Sequence, residues 1–325
     1  KSRPENLEFL KEVRRLLEEY PGTAALGEVG DAERRLQLMA DYTSGGRLQM
    51  CYSFEFLSAR FGRAHFESGI RRFEAMAGEG WGCWAFSNHD ARRHVSRWQA
   101  EGRDPVRFAK FCAALLLSLR GSVCLYQGEE LGLPEAEIGY EDLQDPYGIR
   151  FWPEFRGRDG ARTPMVWQAD ALNGGFSTGR PWLPVYPLHA GLAVDRQQND
   201  PRSVLAFYRH FLRFRRRHPA LIRGAVELLD SEGDVLAFAR DGEGERLVCA
   251  FNMGTAAARW APPKGLRLTP LADCGMNGTH VEDGKVHLPP ISAFFASAAA
   301  AVVRDGEPAP EERRSAAALS SQGAL

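Results

Sequence analysis

The stretch "DPVRFAKFCAALLLSLRGSVCLYQGEE" (residues 104–130) decides the fold class. Asp104 followed by Pro105 is typical of a helix start. The helix is apolar almost all round in its second half, which predicts a buried position. "SVCLYQGEE" (122–130) then has the character of a strand that ends in polar residues. A buried helix followed at once by a strand indicates an α/β fold with a parallel sheet.

The same alternation extends upstream of this unit. A helix with an apolar stripe is predicted at 5–20, and another at about 64–77. Three further strand candidates are "TAALGEVG" (23–30), "RLQMCYSFEFL" (47–57) and "GCWAFSNHD" (82–90). Because helices separate the strands, we expect right-handed crossovers and parallel pairing.

Polar side chains stand where these strands end: Glu28, Glu55, the pair His89 and Asp90, and Gln127 with Glu129. The carboxyl ends of parallel strands meet at one edge of a sheet or barrel, where ligands bind. Glu28 alone would equally suit a surface glutamate, and the His-Asp pair alone would suit a polar turn. Their equivalent positions together favour a functional site.

The character of the chain changes after its last long helix, "PRSVLAFYRHFLRFRRRHP" (201–219). Short strand patterns separated by turns predict a small antiparallel β domain over 223–303. Residues 304–325 are predicted to be a disordered tail. The Pro-, Gly- and Trp-rich segment 131–200 is too long for a plain connector and is therefore expected to be functional.

Composition excludes several function classes. The chain has 41 basic and 42 acidic residues, so neither nucleic acid nor a membrane surface is an expected partner. Its six cysteines include no C-x-x-C pair, and we predict buried free thiols, no metal site and no cofactor. Free thiols fit a reducing compartment, so we expect a cytoplasmic protein. A periplasmic location stays open because the sequence begins with Lys1, just before a helix.

Four segments together resemble the α-amylase family of glycoside hydrolases (family thirteen), in particular its α-glucosidase and oligo-1,6-glucosidase branch. "ALGEVGD" (25–31) is similar to the family's fifth-strand motif, and "FSNHDARR" (86–93) to its seventh. "YQGEELGL" (126–133) and "DPYGIRFWPEFRGRDGARTPMVW" (145–167) match the segment after the eighth strand and the long eighth loop of α-glucosidases. The resemblance implies that residues 1–222 form the C-terminal half of a (β/α)8 TIM barrel, strands five to eight.

The resemblance also implies roles for individual residues. Glu28 corresponds to the general acid/base, and we expect Leu26 and Val29 to give it the apolar setting that keeps such a group protonated. Asp90 corresponds to a carboxylate that stabilises the transition state, and His89 to a hydrogen-bond donor to the sugar. The remaining predicted substrate contacts are Arg93, Trp152, Arg162 and Trp167.

One family motif has no counterpart in this sequence. The family places its nucleophilic aspartate in a motif like G-F-R-x-D at the fourth strand, and the chain contains none. We therefore expect a C-terminal fragment of a longer enzyme. Without the nucleophile, and with the open edge of half a barrel, the piece alone is expected to be inactive and poorly folded.

The predicted activity of the whole protein is retaining hydrolysis of α-glucosidic bonds at the non-reducing end of small oligosaccharides or sucrose. An α-glucosyl transferase or a sucrose isomerase on the same fold is the nearest alternative. A non-catalytic amylase-like partner protein is a more distant one, because such relatives usually lose catalytic residues. The preferred linkage, the oligomeric state and any calcium site in the missing first-strand loop stay open.

Overall fold

The structure is a computed structural model that describes residues 3–31, 33–99 and 103–300. Its first part alternates helices and short strands. The helices are α1 (Glu5–Glu18), α2 (Arg35–Thr43), α3 (Arg63–Ala77), α4 (His94–Arg97) and α5 (Pro105–Leu116). The strands are β1 (Leu26–Glu28), β2 (Met50–Tyr52), β3 (Gly82–Trp84) and β4 (Ser122–Val123).

These four strands form one parallel sheet in the order β1-β2-β3-β4. Glu28 is in register with Tyr52, Tyr52 with Cys83, and Trp84 with Val123. The α/β class and the parallel sheet are thereby confirmed. Each strand is only two or three residues long, much shorter than the stretch that predicted it.

Helix α5 begins as the sequence predicts. The Asp104 side chain accepts hydrogen bonds from the backbone N–H groups of Val106 (2.9 Å) and Arg107 (3.2 Å). This cap satisfies two donors that the first turn leaves free. Most of the helix is buried, as its all-round apolar surface requires. Neither α5 nor any other helix in the described ranges has the length and apolar character needed to cross a bilayer.

The segment 131–200 folds as a long excursion with three short helices, α6 (Pro146–Arg150), α7 (Pro187–Ala190) and α8 (Val194–Gln197). Helices α9 (Val204–Arg217) and α10 (Pro219–Arg223) follow it. Helix α9 turns its aromatic side chains inward, and its three consecutive arginines occupy the last turn, where they complement the helix dipole.

The strands of the described residues after α10 form antiparallel sheets, as predicted. One sheet has the order β5-β6-β7-β12-β9, formed by β5 (Ala225–Leu229), β6 (Val235–Gly242), β7 (Glu245–Asn252), β12 (Ser292–Ala300) and β9 (Leu266–Pro270). A smaller one has the order β10-β11-β8, formed by β10 (His280–Glu282), β11 (Lys285–Leu288) and β8 (Ala258–Trp260). The domain limits at 222 and 303 stay predictions, and the predicted tail, 304–325, lies outside the described residues.

The helical part and the large antiparallel sheet share one hydrophobic core. Phe111 of α5 meets Phe251 of β7 edge to face at 5.8 Å between ring centroids. Buried Arg240 donates to the carbonyl oxygens of Ser118 (2.6 Å) and Gly224 (2.8 Å), and so ties β6 to the end of α5. These contacts fix the antiparallel sheet against the layer that carries the strand ends.

Candidate active site

A concave pocket of about 250 Å³ lies at the carboxyl ends of the four parallel strands. It is lined by Leu26, Glu28, Tyr52, Ser87, Asn88, His89, Cys124 and Tyr126. Each of the four strands, or the segment directly after it, contributes to this lining. The predicted convergence of polar strand ends is therefore present for Glu28 and His89.

Glu28 is the last residue of β1, and its side chain shares a face with that of Leu26 because side chains alternate along a strand. Gly27 between them points to the other face, where a Cβ atom would lie 2.7 Å from Leu48. Both Leu26 and Glu28 are exposed, while Val29 is buried on the opposite side. Among the described residues, the expected apolar setting on both sides of Glu28 is therefore absent: Leu26 shares the face of the Glu28 side chain, whereas Val29 is buried on the other side.

A tight turn presents the His89–Asp90 pair. The Asn88 side-chain oxygen accepts hydrogen bonds from the backbone N–H groups of Asp90 (2.9 Å) and Ala91 (2.8 Å). This arrangement is an Asx turn, which fixes the backbone direction at the two residues that follow. His89 faces the pocket, and Asp90 points toward the long excursion.

Two arginines of that excursion hold Asp90. Its Oδ1 atom accepts one hydrogen bond of 2.9 Å from Arg158 and another of 2.9 Å from Arg162. Arg162 also donates from Nε to the backbone oxygen of His89 at 2.8 Å. The predicted site residue Arg162 therefore lies beside the pair, where it orients both residues, and Asp90 has two positively charged partners.

Arg158 is itself anchored by a buried carboxylate. Its Nε and Nη2 atoms donate to the two oxygens of Asp145, at 2.8 Å and 3.0 Å. This bidentate pair lowers the pKa of Asp145 to about 2, since hydrogen bonds from the guanidinium stabilise the carboxylate. The chain Asp145–Arg158–Asp90 connects the excursion to the strand ends.

Arg93 has a different position from the one expected of a sugar contact. Its side chain is 1 % exposed and donates to the backbone oxygens of Gln127 (2.7 Å) and Ala161 (3.1 Å). Burial lowers the pKa of this guanidinium. The prediction of substrate contact is corrected accordingly: Arg93 is buried behind the pocket, where its Nη1 and Nη2 atoms donate to backbone carbonyls of the surrounding segments.

The two predicted stacking tryptophans do not line the Glu28 pocket. Trp152 is partly buried against Tyr140, with ring centroids 5.8 Å apart, and packs beside Ile138. Trp167 is 50 % exposed. A packing role therefore accounts for Trp152, whereas the Trp167 ring is free to meet a ligand that extends over the excursion.

Two of the polar strand ends also point elsewhere. Glu55 is buried and its carboxylate lies 3.5 Å from Nε of Arg35. Glu129 is buried as well, with one oxygen 3.5 Å from Nδ1 of His94. Both belong to structural contacts around the site. The pocket residues that the sequence analysis did not single out are Tyr52, Ser87, Asn88, Cys124 and Tyr126.

Comparisons with known proteins identify the family of this chain. The alpha-amylase catalytic domain family matches residues 1–224. The chain belongs to the α-amylase family of glycoside hydrolases. A probable alpha-glucosidase from Rhizobium meliloti (strain 1021) is 52 % identical over 298 residues, which is 91 % of this chain and 54 % of that protein. An oligo-1,6-glucosidase from Parageobacillus thermoglucosidasius is 27 % identical over 276 residues, 75 % of this chain and 49 % of the relative.

Solved structures show the same fold. The alpha-glucosyl transfer enzyme XgtA is similar with a TM-score of 0.86 and 45 % identity, covering 91 % of this chain and 55 % of that one. A trehalulose synthase, MutB, gives a TM-score of 0.77 at 25 % identity, over 91 % of this chain and 59 % of the other. The chain spans about half the length of the curated relatives it matches. The resemblance seen in the sequence motifs is confirmed at the level of the family.

Proposed function

We propose that the whole protein is a retaining α-glucosidase that acts at the non-reducing end of small oligosaccharides or sucrose. One observation carries this proposal: Glu28 and His89 line one pocket at the strand ends, and two arginines hold Asp90 beside them. The relatives named as α-glucosidase and oligo-1,6-glucosidase support the substrate class.

In this mechanism Glu28 donates a proton to the glycosidic oxygen as the leaving group departs, and then takes a proton from the attacking water. The sugar ring becomes positively charged in the transition state, and a nearby anion stabilises that charge. Arg158 and Arg162 hold the Asp90 carboxylate in position for this role. His89 is placed to donate a hydrogen bond to the same sugar.

The nucleophile in this proposal comes from residues outside the present sequence. A retaining enzyme needs a second carboxyl group about 5–5.5 Å from the acid. The four-stranded parallel sheet would then be strands five to eight of a (β/α)8 barrel, and the exposed face with Leu26 and Glu28 would be its interior. We infer that the 325-residue chain alone is inactive.

A direct assay tests both parts of the proposal. The whole protein should release p-nitrophenol from p-nitrophenyl α-glucoside, and proton NMR should show the α-anomer of glucose as first product. The 325-residue chain alone should release none. Turnover by the isolated chain would refute the inference that the nucleophile lies elsewhere, and a β-anomer as first product would refute the retaining mechanism.

Glucosyl transfer or sucrose isomerisation is the second candidate, because the similar solved structures include a glucosyl transfer enzyme and a trehalulose synthase. Transfer and isomerisation share the glucosyl-enzyme step with hydrolysis. The reactions differ in the molecule that accepts the glucosyl group. Incubation with sucrose, maltose and isomaltose separates them: free glucose as the main product supports hydrolysis, while isomerised sucrose or longer oligosaccharides support transfer. A non-catalytic role is disfavoured by the presence of Glu28, His89 and Asp90 together.

A further inference from the structure

The hairpin of β10 and β11, on the antiparallel part of the chain, carries two histidines and a glutamate on one face. His280 stands directly opposite His287, and Glu282 follows His280 by two residues. Directly opposed residues and residues two apart share a face of a sheet. The closest ligand atoms of the three side chains lie within 4.8 Å of one another.

A tight turn fixes this arrangement. Asp283 and Gly284 connect the strands with φ values of 49° and 72°. Two consecutive residues with positive φ form a type I′ turn, for which Asp-Gly is a preferred sequence, and this turn sets the register of a hairpin. On its other side β11 pairs with β8, and its residues Val286 and Leu288 are buried. The position of His287 is therefore determined by the surrounding sheet.

The spacing of the three groups suits a small divalent ion. Two ligands of a tetrahedral zinc ion, each about 2.0–2.1 Å from the metal, stand roughly 3.3 Å apart. The Nε2 atom of His287 is already 3.4 Å from Oε2 of Glu282. The rings of His280 and His287 stack at 4.7 Å between centroids and 16° between planes. A modest rotation of the exposed His280 ring would direct a nitrogen to the same point.

The geometry points to a surface zinc site formed by His280, Glu282 and His287. Imidazole and carboxylate are ligands that Zn²⁺ prefers, and three protein ligands leave a fourth position for water. The ion would crosslink β10 to β11 and so stabilise this sheet. The three ligands are far in sequence from Glu28. The cysteines, which carry no zinc motif, take no part in it.

Calorimetric titration of ZnCl₂ into the metal-free whole protein tests this site. We expect one equivalent to bind, and we expect His280→Asn, His287→Asn and Glu282→Gln each to weaken binding at least tenfold. Lys285, which stands across from Glu282, places a positive charge beside the site, so Lys285→Gln should bind zinc as tightly as the wild type or more tightly. His210→Gln, on helix α9, is the matched control and should not change the affinity.

Melting temperatures measured with zinc and with EDTA test the site even if a substitution alters folding. In the wild type, zinc should raise the melting temperature by roughly 2–4 °C, as ~1 kcal/mol of stabilisation implies for a large domain. The shift should vanish in His280→Asn/His287→Asn, whose melting temperature in EDTA should match that of the wild type. Wild-type zinc affinity in that double variant, or no zinc binding by the wild type at millimolar concentration, would overturn the proposal.

Discussion

Arg158 binds Asp90 across 68 residues of sequence: its Nη1 atom donates to Oδ1 of Asp90 at 2.9 Å. The Nε and Nη2 atoms of the same guanidinium donate to buried Asp145. Because Asp145 holds Arg158 in place, the long excursion sets the position of a carboxylate that belongs to a strand end. The excursion therefore takes part in building the site.

Replacing Arg158 by Met should lower kcat/KM on p-nitrophenyl α-glucoside by tenfold to about a hundredfold, because Asp90 loses one of its two cationic partners and its fixed position. Most of the loss should lie in kcat, since we expect Asp90 to act most strongly in the transition state. Arg150→Met is the control: Arg150 is exposed on the same excursion and should leave both constants near wild type. An equal loss in the two variants would contradict this role.

Asn88 should matter for activity more than for stability. Asn88→Ala removes the acceptor that orders Asp90 and Ala91, at a cost of about 1 kcal/mol for such a side-chain bond, and should misplace His89 and Asp90. We expect kcat/KM to fall at least tenfold, whereas the melting temperature should fall by only about 2–4 °C. Asn88→Asp keeps an acceptor oxygen and should recover part of the activity. If Asn88→Asp loses as much activity as Asn88→Ala, the acceptor oxygen of the turn is not what activity requires.

His189 should make the fold sensitive to acid. Its Nε2 atom lies 2.9 Å from the oxygen of Pro134, and burial lowers the pKa of the imidazole to about 4. An unfolded histidine has a pKa of about 6.5. Between these values the unfolded chain binds the extra proton, so the free energy of unfolding should fall as the pH drops from about 6.5 to 4, by up to about 3 kcal/mol.

Denaturant titrations at several pH values measure this effect. His189→Gln keeps a donor toward Pro134 and removes the titrating group, so it should flatten the pH dependence between about pH 4 and 6.5. His210→Gln is the matched control. In this variant the free energy of unfolding should depend on pH as it does in the wild type. If the free energy of unfolding depends on pH equally in the wild type and in His189→Gln, protonation of His189 is not the cause of the acid sensitivity.

Arg240 should contribute to stability without affecting chemistry. Its fully buried guanidinium donates to backbone oxygens of Ser118, Gly224 and Ala225. Arg240→Met fills most of the volume and leaves those carbonyls unsatisfied, which should cost about 2–4 kcal/mol in urea unfolding. At temperatures where the variant stays folded, KM should be unchanged. A destabilisation below about 0.5 kcal/mol would show that water satisfies these groups.

The fold class could be read from the sequence because its elements have strong local signals. Helix α5 has a capping Asp104 and a continuous apolar surface, and strands such as β6 of the antiparallel part begin with a run of apolar residues. Helix α2 was not predicted, since its apolar residues are clustered on a short segment with only weak amphipathic character. Strand lengths were overestimated, because apolar residues next to a strand are also buried in the turns that follow it.

The site was predictable where strand ends and family motifs coincide, as at Glu28, His89 and Asp90. Arg93 was misjudged because a charged residue near a motif gives no sign of whether its side chain faces the ligand or the interior. Tyr52 lines the pocket only because it is in register with Glu28, and register is not visible in sequence. The contact of Asp90 with Arg158 also depends on the path of the excursion.

The central claim, that Glu28 is the general acid/base, is tested most directly by comparing two substrates of the Glu28→Gln variant of the whole protein. Maltose needs protonation of its leaving group, whereas α-glucosyl fluoride does not. We predict that kcat/KM on maltose falls by about 10²–10⁴-fold while kcat/KM on the fluoride stays within about tenfold of wild type. A similar loss on both substrates, or near-normal hydrolysis of maltose, would contradict this account.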